Sequence, residues 1–160
     1  METRNQITIL FAVSLLLAAS VNSIRPSGGI TWKSIPIKSV KEAEDVLNIL
    51  EPVIREIDLE LAISLHDKGL LFIDARAEEY LVDGYIPNAI ADDDFDSLTE
   101  KINSLIGLDN AFVVYCSDDD CGSSEELAYD LQEWGFNNIL VFKGGWKSWV
   151  DARLKKQFNE

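Results

Sequence analysis

Two cysteines, Cys116 and Cys121, are the only thiols in the chain, and both lie in one short stretch, "VVYCSDDDCGSS". An apolar, β-favouring run ends on Cys116. Ser117 and three aspartates, Asp118, Asp119 and Asp120, lead to Cys121, and Gly122, Ser123 and Ser124 then open the helical pattern "EELAYDLQEWG". In open parallel sheets, sites form beyond the carboxyl ends of the strands. A thiol at such an end, with loop N–H groups and a helix N-terminus converging on it, is favoured as a thiolate or a charged sulfur adduct. The plainer reading is a buried cysteine acting as a small hydrophobe. The second thiol adds an option, because it could resolve an adduct on Cys116 or cycle with it between dithiol and disulfide. Either requires the two Cβ atoms to approach closely, which spacing alone does not fix. The plainer reading of Cys121 is packing at the base of the helix, with Gly122 giving the turn its freedom.

Composition narrows the classes. The chain has 160 residues, room for one ordinary domain, and 47% of them are hydrophobic, as expected of a globular protein. Fourteen basic residues face 28 acidic ones, a net charge of −14. Nucleic acid is therefore excluded as an expected partner, since binding a polyanion needs clustered Lys and Arg. Two cysteines are not the disulfide framework of a small secreted domain, and with the lone His66 they do not complete a zinc site, so no metal is expected.

The elements that would position the thiols alternate along the chain. Residues 1–25 contain "ITILFAVSLLLAASV", fifteen residues without a charge, which read as a membrane anchor or a signal peptide. An anchor would leave the domain outside the cytoplasm, and cleavage would release it as a secreted or periplasmic protein. Residues 26–56 read as a linker and helical lead-in: "RPSGGITWKSIPIKS" is rich in Pro, Gly and Ser. Val40, Ala43, Leu47 and Leu50 then recur at helical spacing in "SVKEAEDVLNILEPVIREI" until Pro52 interrupts. Residues 57–160 read as the functional domain. "DLELAISLHDKG" predicts a helix capped by Asp58 and stopped at Gly69, with His66 in its last turn. "LLFIDA", "AFVVYC" and "NILVF" are short continuous apolar runs of the kind buried on both faces of a parallel sheet. "EEYLVDG" predicts a short helix, and "YIPNAI" a turn into a further short strand. "DDDFDSLTEKINSLIG" and "SSEELAYDLQEWG" predict longer helices, the second capped by Ser123 or Ser124, and "GGWKSWVDARLKK" a closing one whose Trp146 and Trp149 pack on the sheet. Strands alternating with helices give an α/β class with a parallel sheet flanked by helices, preceded by one N-terminal hydrophobic helix.

Several of these segments together resemble the rhodanese family over about residues 57 to 153. Asp74 and Arg76 stand in its "D-x-R" segment, followed by Glu79 and Tyr80. Gly84, Ile86, Pro87 and Ala89 match its "G-H-I-P-G-A" segment, and Gly144, Gly145 and Trp146 its closing "GGW". Cys116 matches the active-site cysteine. The resemblance implies a sulfurtransferase: Cys116 would attack a sulfur donor, hold the sulfur as a persulfide, and pass it to a thiol acceptor, with no metal or organic cofactor. It also implies an active-site loop over Ser117–Ser123. Asp74 and Arg76 read as site-rim residues or as a structural pair, and Tyr80 and Tyr85 as bordering the pocket at that rim.

Departures from the family pattern sharpen the expectation. Tyr85 stands where histidine is usual, and Asn88 where glycine is. The cysteine loop is two residues longer than the common form and contains no Arg or Lys. Two charges 4 Å apart interact by about 4 kcal/mol at an effective dielectric of 20, so Asp118–Asp120 would repel an anionic donor such as thiosulfate if they faced the thiol. A donor or acceptor that is itself a protein-bound persulfide or thiol avoids that repulsion. Two other functions are compatible with the same residues: a thiol–disulfide redox module using Cys116 and Cys121, and a catalytically inactive rhodanese-like domain whose acidic loop meets a basic partner.

Overall fold

The computed structural model describes residues 2–24, 37–40 and 53–158. They fall into two units, Met1–Pro36 and Ile37–Glu160. In the first, the apolar run folds as helix α1, Glu2–Ile24, and its described side chains, such as Leu10, Phe11 and Leu16, are exposed. Among the described residues no helix is long and apolar enough to cross a membrane. The expected membrane anchor or signal over residues 1–25 is therefore not supported.

The second unit is built on five parallel strands: β1 (Lys38–Val40), β2 (Val53–Ile57), β3 (Leu71–Asp74), β4 (Phe112–Tyr115) and β5 (Asn138–Phe142). Their order in the sheet is β1-β2-β5-β4-β3. Here the expected helical lead-in is corrected at its end. The segment "VIREI" is strand β2, in register with β5 from Val53↔Asn138 to Ile57↔Phe142. A partner far along the chain overrides a local helical spacing. The middle of that expected helix, residues 41–52, lies outside the described residues.

Helices cover both faces of the sheet, which is why its inner strands read as unbroken apolar runs. Successive side chains on a strand point to opposite faces. Val113 and Tyr115 of β4 therefore pack with Leu61 and Leu65 of α2 (Leu59–Asp67) and Trp149 of α5 (Gly145–Asp151). Phe112 and Val114 pack on the other side with Leu98 and Ile102 of α3 (Phe95–Ile106) and Ala128 and Leu131 of α4 (Ser123–Trp134). Local signals set the helix ends, at Asp58 and Gly135 as the sequence predicts. Asp58 accepts from the Leu61 amide at 2.9 Å, Asp94 accepts from the Ser97 amide at 2.8 Å, and α4 stops at Gly135. His66 does more than sit in a last turn: its Nε2 lies 3.0 Å from the Pro87 carbonyl oxygen, and its ring packs edge-on to Phe72 and Trp149.

Between β3 and α3 the chain makes a 3₁₀ helix, Glu78–Asp83, and the expected short strand reduces to one bridge, Ile73↔Ile90. Asn88 has φ 63. That left-handed backbone explains why glycine is usual there, and asparagine is among the few other residues that tolerate it.

Candidate active site beyond strand β4

Cys116 follows the last residue of β4 directly, and the end of α5 that faces it fixes its backbone. The Trp146 amide donates to the Cys116 carbonyl at 2.8 Å, and the Lys147 amide to the Ser117 carbonyl at 2.8 Å. Gly145 makes this approach possible. It has φ +56, and a Cβ there would collide with the Cys116 carbonyl oxygen while lying 3.0 Å from the Ser117 carbonyl carbon and 3.1 Å from the Asp118 nitrogen. Only glycine meets both conditions. The segment Gly144-Gly145-Trp146 is thus a brace for the cysteine loop.

Asp118 organises the far limb. Its carbonyl accepts from the Cys121 amide at 3.2 Å and its carboxylate from the Asp120 amide at 3.2 Å. The expected convergence of loop amides on the sulfur is therefore corrected for these two, because an aspartate within the loop offers them nearer acceptors. Asp119 and Asp120 are exposed, and Asp118 is half-buried. The helix start is corrected too: the N-cap of α4 is Gly122, with no side-chain cap, rather than Ser123 or Ser124. Ser124 is buried and Ser123 exposed. No side chain caps the first turn, its Glu125 amide donates to the Gly122 carbonyl at 3.1 Å, and Glu125 and Glu126 lie at the positive end of the helix dipole.

The two sulfurs meet. Cys116 and Cys121 form a disulfide across the loop, with their Cα atoms 6.1 Å apart. The two residues differ in access: Cys116 is 3% exposed, whereas Cys121 is half-exposed.

Asp74 and Arg76 pair structurally, and both also line a cleft that includes Ser123. Both are buried, and they bond to each other with Arg76 Nη2 2.6 Å from Asp74 Oδ2 and Nε 2.9 Å from Oδ1. Arg76 also donates to the Gly84 carbonyl at 2.9 Å. Tyr115, the residue before Cys116, donates its hydroxyl to Asp74 Oδ2 at 2.7 Å and accepts from the Ile86 amide at 3.1 Å. Burial, joined by the Asp74 charge, pushes the Tyr115 hydroxyl far above the usual phenol range. Burial works against the Arg76 charge, but the hydrogen bonds and charge of Asp74 outweigh it and raise Arg76. The guanidinium stacks 4.9 Å from the Trp146 ring centre, so one buried network joins the end of β4, the 84–86 segment and the brace. Beside it, a cleft of about 390 Å³ is lined by Asp74, Arg76, Asp92, Phe95 and Ser123. Tyr85 stands apart from that cleft: it is half-buried, pairs its backbone with Gln157 and lines a second cleft with Glu78 and Lys101.

Two functional neighbours escaped the sequence reading. Lys143 ion-pairs with Glu125 of α4 at 2.6 Å, and Lys147 with Asp151 at 2.8 Å. Hydrogen bonds to these partners raise both lysines, and the field of Asp119 reaches each of them. The loop itself has no basic residue, but lysines on either side of Gly144-Gly145-Trp146 offset part of its charge. The signal was "KGGWK" itself, read as packing rather than as a flank of the loop.

Comparisons with known proteins agree on this architecture. Residues 59–152 match the family described as Rhodanese-like domain. Among solved structures, a rhodanese-related protein from Thermoplasma volcanium is 24% identical with a TM-score of 0.51, over 66% of this chain and 99% of that one. A protein from Bacillus halodurans is 21% identical with a TM-score of 0.54, over 64% of this chain and 76% of its own. A thiosulfate sulfurtransferase from Pseudomonas aeruginosa is 18% identical with a TM-score of 0.54, over 66% of this chain but 20% of that one. These likenesses are of fold. No curated protein matches the chain.

Proposed function

The chain belongs to the rhodanese-like domain family, and from that premise we propose that it is a sulfurtransferase holding sulfur as a persulfide on Cys116. The observation that supports this most is the placement of Cys116 where β4 ends and the loop to the uncapped N-terminus of α4 begins. In the reduced protein the Cys116 thiolate attacks the outer, sulfane sulfur of a donor R–S–SH. The new bond is from Cys116 Sγ to that sulfur, the old S–S bond breaks, and RS⁻ departs. The persulfide anion gains from the positive end of α4. A thiol acceptor then takes the sulfur and returns Cys116. With Asp118–Asp120 in the loop, the donor is a persulfide, small or protein-bound, rather than thiosulfate.

A direct test uses the full chain carrying Cys121→Ser, so that the second thiol does not intervene. The reduced protein is mixed with glutathione persulfide or thiosulfate and alkylated at once. One added sulfur atom on the Cys116 peptide is expected with the persulfide, little with thiosulfate, and none after Cys116→Ser. Failure of every donor to add sulfur would remove the enzyme reading.

The Cys116–Cys121 disulfide favours a second reading, a thiol–disulfide redox module. Alkylation of oxidised and reduced samples separates it: two thiols that stay free under oxidant exclude it.

A further inference from the structure

We propose that Cys121 is the resolving thiol of this site, so that the domain converts the sulfane sulfur of its donor into free sulfide and ends its turnover as the Cys116–Cys121 disulfide. The inference rests on the persulfide reading and adds the fate of the sulfur. Three observations point to it.

The first is reach. The sulfurs bond to each other across a loop whose near limb is held by the Trp146 and Lys147 amides and whose far limb is closed by the Cys121 amide on the Asp118 carbonyl. A thiol held so close acts at an effective concentration that a free thiol does not match.

The second is access. Cys116 is 3% exposed while Cys121 is half-exposed. Any outside acceptor must make a second approach to this buried sulfur, whereas the neighbouring thiol is already in place.

The third is charge. Asp119 and Asp120 are exposed in the loop between the two cysteines, and their charge repels an anionic thiolate arriving from solvent, whereas Cys121 belongs to the loop itself.

The step balances without an added oxidant. The Cys121 thiolate attacks Sγ of Cys116–S–SH, the Sγ–Sγ bond forms, the bond to the outer sulfur breaks, and HS⁻ leaves. The sulfane sulfur gains two electrons and the two thiolates lose them. Resetting the site needs a dithiol reductant. One of its thiolates attacks the accessible Cys121 sulfur, Cys116 leaves as thiolate beside the start of α4, and the second reductant thiol frees Cys121.

The test is a single turnover on the full chain, reduced and freed of reductant, with glutathione persulfide as donor. Sulfide, free thiols and intact mass are followed together, and far-UV circular dichroism confirms the fold of each variant. Wild type is expected to release one sulfide per chain above the protein-free control, lose both thiols and show no lasting sulfur adduct. Cys121→Ser is expected to hold the sulfur on Cys116 and release none until an external thiol is added. A wild-type chain that keeps the added sulfur, with Cys121 still free, would overturn this inference and leave the persulfide reading standing. No sulfur uptake by either protein would overturn both.

Discussion

The amide of Trp146 donates a 2.8 Å hydrogen bond to the carbonyl oxygen of Cys116. A residue thirty positions downstream thus fixes the backbone of Cys116, and Gly145 beside it has no room for a side chain. Gly145→Ala is expected to cost about 1–3 kcal/mol from the left-handed backbone alone, with the clash added. It is also expected to slow sulfur uptake at Cys116 by displacing the loop. Urea unfolding together with persulfide trapping checks this. A variant with native stability and uptake would show that the brace is dispensable.

The buried Asp74–Arg76 pair predicts a graded series. Arg76→Ala leaves a carboxylate at 3% exposure without its partner, a loss of about 3–5 kcal/mol. Tyr115→Phe removes one hydrogen bond to Asp74 and strands the Ile86 amide, a loss of about 1–3 kcal/mol. Denaturant midpoints should fall in that order, and the reverse order would refute the assignment of Asp74 as the hub.

Asp92 predicts a pH dependence. A hydrogen bond from Lys101, then others from the Ser97 hydroxyl and the Asp94 amide, holds its carboxyl down at about 2 from an ordinary 3.8. A folded-state value below the unfolded one gives stability that is present above the unfolded value and is lost as pH falls through the folded value. The difference in melting temperature between wild type and Asp92→Asn should therefore be constant near neutrality and shrink from 3.8 down towards 2. A difference that persists unchanged at the acid end would exclude this mechanism.

Opening the Cys116–Cys121 bond should destabilise the domain. Chain-entropy arithmetic for so short a loop gives about 2 kcal/mol. Unfolding with and without a reductant measures it, and Cys121→Ser should match the reduced wild type under both conditions.

What could be read from the residues was what is encoded locally. Asp58 caps its helix, Gly135 stops α4, and the apolar runs of β3, β4 and β5 are strands. Cys116 at the end of β4 followed from the same local grammar. Errors arose where distant partners decide. Val53–Ile57 follow the interrupting Pro52 in the expected lead-in, and their pairing with β5, far along the chain, makes them a strand. Asp74 and Arg76 could be read as rim or as a structural pair, but their contacts with Tyr115, Gly84 and Trp146 depend on distant parts of the chain. The disulfide needed coordinates, since spacing permits it without requiring it. The Asp118 turn was hidden for another reason: three adjacent aspartates look alike, and only one accepts the loop amides.

The all-parallel sheet has a kinetic consequence. Among the described residues no strand reaches its neighbour through a tight hairpin, and β2 docks on β5, its register running from Val53↔Asn138. On a ribosome β2 would emerge early and wait, its apolar edge uncovered, until nearly the whole domain has been synthesised. Assembly should begin among β3, β4 and β5, whose pairings join consecutive strands, and finish when β2 arrives. Such late, long-range closure makes for slow folding, and during that delay the cysteine loop would have its near limb in place before the sheet behind it is complete.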